Sequence, residues 1–347
     1  MKNKIGVPNA ILIAAFFFAV TAYSYAGGEL FDFHNPHFSP DGKLLAFDLC
    51  INNKCNNVIH NIDANTFTKL VDRQGRKIAN LSFSPNGNAV LFVVINKTFW
   101  PWQKSSQQLV TGKRAETKLN LITSGGGLKM YPTFSDENTV LYWNMNEIPA
   151  KQSGGTYKET QLVELDIKTK RSQLLIPSQF DFYTPSPPIS LNDDDLVVIS
   201  DFGFHHPSTR YVDREKSKPR DELLILSKGK KTVMPLNTGI EASFRPVVIR
   251  QTGEIVFVGR VEQNEGQNGF VHDVFLLGLY GPTRLTRLRT FISGMDVTTD
   301  GKFLALVLST PNRKTSDRKL IIYDVHTNIH REIHPKDIVE KLVDIVP

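Results

Sequence analysis

Pro36-His37-Phe38-Ser39-Pro40-Asp41-Gly42-Lys43-Leu44-Leu45-Ala46-Phe47 is the stretch on which the fold turns. A short apolar strand ends at Ser39. Proline sets φ for the first turn position, aspartate suits the second, and glycine takes the position that needs φ > 0. Leu44 to Phe47 then open a second strand that is apolar on both faces, the pattern of a strand sandwiched between two sheets.

The unit returns along the chain. Leu81-Ser82-Phe83-Ser84-Pro85-Asn86-Gly87 leads into AVLFVV, and Pro132-Thr133-Phe134-Ser135-Asp136-Glu137-Asn138 leads into TVLYW. Met295-Asp296-Val297-Thr298-Thr299-Asp300-Gly301 leads into FLALVL. Two degenerate copies, over 185–198 and 245–257, carry LVVIS and EIVFVG and make six. Each unit has a second half with more alternation, such as Val58-Ile59-His60-Asn61-Ile62-Asp63 followed by Thr66-Phe67-Thr68-Lys69-Leu70. Such a unit is a four-stranded antiparallel sheet that cannot bury both of its faces alone. Radial packing of six of them buries both, so the expected fold is all-β, a six-bladed β-propeller. Blades are expected to start near 35, 80, 131, 184, 244 and 293, with a short tail over 335–347. About 50 residues per unit exceed the ~40–45 that a blade needs, so the surplus belongs to loops.

With a second hairpin behind it, P-x-F-S-P-D-G-K-x-L-A-F resembles the repeat of the TolB-type β-propellers. The same repeat occurs in propellers attached to prolyl-oligopeptidase-like enzymes. The resemblance implies the blade and leaves the task open, because the fold hosts many functions. TolB carries an α/β domain before its propeller, whereas here the first blade is expected right after an N-terminal signal. The peptidases carry an α/β-hydrolase domain after theirs. Here only 335–347 follow the last hairpin, and no G-x-S-x-G occurs.

Residues 1–26 read as that signal. Lys2 and Lys4 precede the apolar run Ala10–Val20, and Ser24-Tyr25-Ala26 places small residues before Gly27. An uncleaved anchor is the alternative. The expected compartment is the bacterial periplasm or the exterior, with 27–347 forming the propeller. The only cysteines, Cys50 and Cys55, flank a short loop and are expected to pair there as a local disulfide.

The 347 residues are 40% hydrophobic and 22% charged, with a net charge of +6, which excludes a disordered chain. Cleavage would remove two of the positive charges. Basic clusters at Arg214–Arg220, Lys228–Lys231 and Arg284–Arg289 read as solvated loops and strand edges, with a patch for an acidic partner or an anionic surface as the alternative. Nucleic acid is not an expected partner, nor is stable membrane insertion after cleavage. No metal or cofactor is expected, and the ring is expected to be monomeric.

Strand parity places function. In a four-stranded blade the loops between second and third strands leave at one end of the ring, and the short first-to-second turns leave at the other. Long loops are expected over 96–118, 144–159, 201–220 and 261–272, all crowding one mouth, where binding usually lives. Phe99, Trp100 and Trp102 lie in the first. They either fold back onto their own blade or anchor a protein or envelope-glycan partner. His205, His206, Tyr211 and Arg214 lie in the third. These seven are the candidate partner-binding residues, and no catalytic residue is assigned. His326, His330 and His334 fall on a turn and the strand after it, a spacing that does not make a ligand set. His34 and His37 are read as structural, with lining of the mouth as the alternative, and Asp296 as a polar group near the channel. The leading expectation is a non-enzymatic interaction scaffold. The alternatives are a glycan hydrolase or lyase at the loop-bearing mouth and a small-ligand or metal sensor in the channel.

Overall fold

The computed structural model describes residues 31–52, 54–70, 77–95, 107–113, 119–125, 127–147, 157–176, 186–191, 196–201, 222–230, 232–240, 242–263, 270–309 and 318–345. They form six antiparallel sheets, each built from four consecutive strands, arranged as a six-bladed β-propeller. Blade 1 comprises Phe31–Phe38, Leu44–Ile51, Lys54–Asn61 and Thr66–Leu70 from the axis outward. Blade 2 comprises Lys77–Phe83, Ala89–Ile95, Gln107–Lys113 and Leu119–Leu121. Blade 3 comprises Leu128–Phe134, Thr139–Glu147, Tyr157–Asp166 and Ser172–Leu174. Blade 4 comprises Ile189–Ser190, Leu196–Asp201, Glu222–Ser227 and Thr232–Pro235. Blade 5 comprises Ser243–Val248, Ile255–Gln263, Phe270–Gly278 and Gly281–Arg284. Blade 6 comprises Phe291–Val297, Phe303–Ser309, Arg318–Asp324 and His330–Ile333.

The turn chemistry repeats in atomic detail. Ser39 Oγ donates to Asp41 Oδ1 at 2.5 Å and accepts from the Leu44 amide at 2.9 Å, while Gly42 sits at φ 69°. Ser84, Asn86 and Gly87 repeat the arrangement in blade 2, and Thr298, Asp300 and Gly301 repeat it in blade 6. The hydroxyl and carboxylate or amide thus satisfy the turn amides that no strand can reach.

The two-sided second strands divide their side chains between neighbours. In blade 1, Leu45, Phe47 and Leu49 pack with blade 6, while Leu44 and Ala46 pack with blade 2. Period-2 alternation therefore fills two interfaces rather than one core and one surface. Six hydrophobic clusters of described residues result, one at each junction between blades. The junction of blades 4 and 5 has the smallest buried set, Leu223, Phe257 and Phe275.

Three expected loops are shorter than the sequence suggested, because strands extend into them: 148–156 stands for 144–159, 264–269 for 261–272, and the largest change is in blade 2. Gln107–Lys113 is the third strand of blade 2, so only 96–106 join the second strand to the third. Just two strongly apolar residues, Leu109 and Val110, mark that strand, and they are too few to register as a period.

The first and last described segments meet at the junction of blades 6 and 1. Phe31–Phe38 is the innermost strand of blade 1, and it packs on blade 6. The tail has helical spacing, and Pro335–Lys341 is indeed a short helix, with Pro335 in its first turn. Its buried residue, Ile338, enters the cluster shared by Phe67 of blade 1 and Ile322 and Ile333 of blade 6. Leu342–Ile345 then runs parallel to Thr66–Leu70 as a fifth strand of blade 1. The tail thus covers an outer edge, where unpaired backbone groups would otherwise face solvent.

Candidate functional site

The channel is built by a feature that recurs in the innermost strands. In four blades two residues of that strand oppose one residue of the second strand. The pairs are Asn35-Pro36, Asn80-Leu81, Tyr131-Pro132 and Arg245-Pro246. They face Phe47, Phe92, Tyr142 and Phe257, an aromatic ring in every case. The first residue of each pair has φ near 50°. Such β-bulges bend a strand and re-aim its side chains. Here all four left-handed residues line one central cavity of about 260 Å³.

The cavity occupies the half of the channel nearer the short turns, as Pro40, Pro85, Ser135 and Thr299 on its wall show. Arg245, Arg250 and Asp296 are its charged side chains, and His37 also lines it. Asp296 accepts the Phe38 amide at 2.6 Å and lies 2.9 Å from His37 Nδ1, which ties blade 6 to blade 1. Arg245 and Arg250 form no ion pair or hydrogen bond among the described residues, and Arg250 Nη1 is buried. Burial lowers the pKa of both guanidinium groups. Asp296 and Glu137 offset this at Arg250, and Tyr131 does so at Arg245.

The loop-side mouth has its own polar cluster. His34 Nε2 lies 3.0 Å from Asp32 Oδ2, and Arg318 Nη1 lies 2.6 Å from His34 Nδ1. Arg318 Nε is also 3.4 Å from Asp32 Oδ1. The structural reading of His34 and His37 therefore acquires a cause. Each pairs with a carboxylate, and their contacts bridge the first and last blades. Between the mouths, buried Asp48 accepts from Asn35 Nδ2 at 2.8 Å, Asn57 Nδ2 at 2.9 Å and the Asn80 amide at 3.4 Å. Burial nevertheless raises its pKa, because amide donors only partly replace lost hydration.

Of the residues singled out in the sequence, Cys50 and Cys55 form a disulfide, with Cα atoms 3.8 Å apart on directly paired strand positions. Such a bond fits an oxidising compartment. Phe99, Trp100, Trp102, His205, His206, Tyr211 and Arg214 lie outside the described residues, as do residues 1–30. The third tryptophan, Trp143, is fully buried, and its Nε1 donates to Ser186 O of blade 4 at 2.8 Å. No group of three or more His, Cys, Asp or Glu placed to hold a metal occurs among the described residues. Asp296, read from the sequence as a polar group near the channel, lies on the cavity wall, whereas the bulge residues escaped the sequence reading. Their only signal was an aromatic residue eleven or twelve positions after each bulge, in strands already read as apolar.

No family model matches the chain, and no curated protein matches it. Solved structures do. TolB from Acinetobacter baumannii aligns over 94% of this chain and 70% of its own, with TM-score 0.51 and 13% identity. The fold is that of a TolB-like propeller. Oligogalacturonate lyase from Vibrio parahaemolyticus aligns over 88% of this chain and 78% of its own, with TM-score 0.55 and 13% identity. The β-propeller domain of the Trilobed protease from Pyrococcus furiosus, described as having an open velcro topology, aligns over 87% of this chain and 97% of its own. Its TM-score is 0.53 and its identity 14%. These three similar proteins include enzymes, so the likeness speaks to the fold alone.

Proposed function

We propose that the protein is an exported, non-enzymatic propeller of the bacterial periplasm or exterior, which presents the loop-side mouth of its ring to a protein or envelope-polymer partner. The observation that carries this reading is the placement of the connecting segments. Segments 96–106, 148–156, 202–221, 264–269 and 310–317 all join the second strand of a blade to its third. Antiparallel strand order brings their anchor points to one end of the ring. The first-to-second turns at the other end span only a few residues, closed by hydrogen bonds such as Gly42 N to Ser39 O at 2.8 Å. A rigid ring with its variable length on one side is suited to recognition. The two tryptophans and Phe99 of 96–106 supply rigid contact area, and His205, His206, Tyr211 and Arg214 of 202–221 supply polar contacts. The Cys50–Cys55 disulfide supports an extracytoplasmic setting.

The test is fractionation of expressing cells, followed by in-cell cross-linking of the intact protein and of a Trp100→Ala/Trp102→Ala variant. Export with processing near Ala26, and a partner adduct that the double variant weakens about tenfold or more, is the expected result. A cytoplasmic protein with reduced cysteines, or an adduct indifferent to the loop residues, refutes it.

A further inference from the structure

The central cavity holds a charge imbalance that the fold does not require. Among its described lining residues two are guanidinium groups and one is a carboxylate. The carboxylate, Asp296, already serves Phe38 N and His37. Arg245 sits deep in the ring, half-exposed only to the channel, and has no ion-pair partner among the described residues. A guanidinium removed from bulk water without a counter-ion is costly.

The backbone adds a second, independent observation. Blades 1 and 2 place Asn35 and Asn80 at the left-handed bulge position, and asparagine tolerates that conformation. Blades 3 and 5 place Tyr131 and Arg245 there, at φ 50° and 49°. Neither side chain relieves the clash, so each position is strained. If the bulge served only to bend the strand, asparagine would suffice at all four. Arginine and tyrosine at these points, facing one cavity, indicate a use for their side chains.

We infer that Arg245, with Tyr131 beside it, anchors the carboxylate of a small organic monoanion that enters the cavity through the turn-side mouth. The guanidinium fork matches a carboxylate in shape and charge. With histidine counted neutral, the lining carries one net positive charge, which one negative charge balances. Pro36, Pro132, Pro188, Pro246 and Met295 provide apolar wall for the body of the ligand. The volume lies just below the ~300–1,000 Å³ of typical small-molecule sites, so the ligand is small. Arg250, further along the same blade at the turn, also lines the cavity, but Asp296 and Glu137 act on it, so the anchoring charge is that of Arg245. This site is separate from the loop-side mouth, so the two assignments stand or fall independently.

The test uses the intact mature protein, with calorimetric titration and thermal shift at constant ionic strength. Acetate, benzoate and cinnamate are each compared with the uncharged amide, and inorganic phosphate is run in parallel. At least one carboxylate should raise Tm by about 2 °C or more at saturation while its amide does not. Arg245→Asn, which installs the residue used by blades 1 and 2, should melt no lower than wild type without ligand yet bind the carboxylate about 10–100-fold more weakly. Tyr131→Asn should keep the fold and weaken binding less. Trp100→Ala/Trp102→Ala should leave binding unchanged. The inference is overturned if no carboxylate shifts Tm, if acid and amide act alike, or if phosphate binds more tightly. It is overturned equally if R245N binds as wild type does, or if R245N melts well below wild type, since the strained arginine would then serve the fold.

Discussion

Replacing Ile338 by alanine probes the closure of the ring. The side chain is fully buried in the cluster shared by blades 1 and 6, although the helix that carries it spans only Pro335–Lys341. A helix this short has little stability of its own, so its position depends on what it buries. Removing the larger part of a buried isoleucine loses transfer free energy and leaves a cavity, together about 3 kcal/mol. The wall of that cavity includes Phe67, Ile322 and Ile333, all held by strands that cannot readily collapse inward. For a chain of this size the loss corresponds to a fall in Tm of roughly 4 °C. Val339, the next residue, is half exposed and supplies the control. Val339→Ala removes a β-branched side chain from the same helix, improves helix propensity, and should change Tm by less than about 1 °C. Thermal unfolding by circular dichroism measures both. Hydrogen exchange adds a local reading, because Ile338→Ala should expose the amides of the parallel strand Leu342–Ile345. Equal shifts for the two variants, or an Ile338→Ala variant within about 1 °C of wild type, would show that the tail does not hold the ends of the ring together.

Reduction of the Cys50–Cys55 bond, or Cys50→Ser/Cys55→Ser, should cost only about 2 kcal/mol, because the bond closes a loop of sequence separation 5; denaturant titration checks this, and loss of folding would contradict it. Gly301→Ala should destabilise more than Gly87→Ala. Both sit at positive φ and lose about 1–2 kcal/mol, but an alanine Cβ at 301 would lie 2.8 Å from Ile249 Cδ1, whereas at 87 the nearest atom is Pro40 Cδ at 3.5 Å. Burial lowers the pKa of His60 and His272 to about 4, from 6.5. The unfolded chain therefore binds more protons between those values, so stability is full above pH 6.5 and falls as pH drops toward 4. The loss is on the order of 2 kcal/mol per ring after screening, and a double glutamine variant should flatten the Tm profile over that window.

Local chemistry made much of the fold legible. A turn such as Ser39-Pro40-Asp41-Gly42 closes through contacts of two to five residues, so its residue types announce it wherever they occur. Strand runs such as LLAF announce burial on both faces in the same way, and the blade architecture follows once six copies are counted. The third strand of blade 2 was hidden because its apolar content is two residues, and its identity comes from pairing with Ala89–Ile95.

The sequence by itself determined the turns, the two-sided strands and the neighbouring cysteines, because each depends on residues close together along the chain. Tertiary structure alone decided which of these meet. Asp296 reaches Phe38 across 258 positions, and Leu342–Ile345 finds the outer edge of a blade formed near the start of the chain. The ring of left-handed bulges also belongs to the assembled state. Asn35 and Asn80 share a residue type with each other but not with Tyr131 or Arg245, and only the closing of six sheets around one axis brings all four to a common cavity.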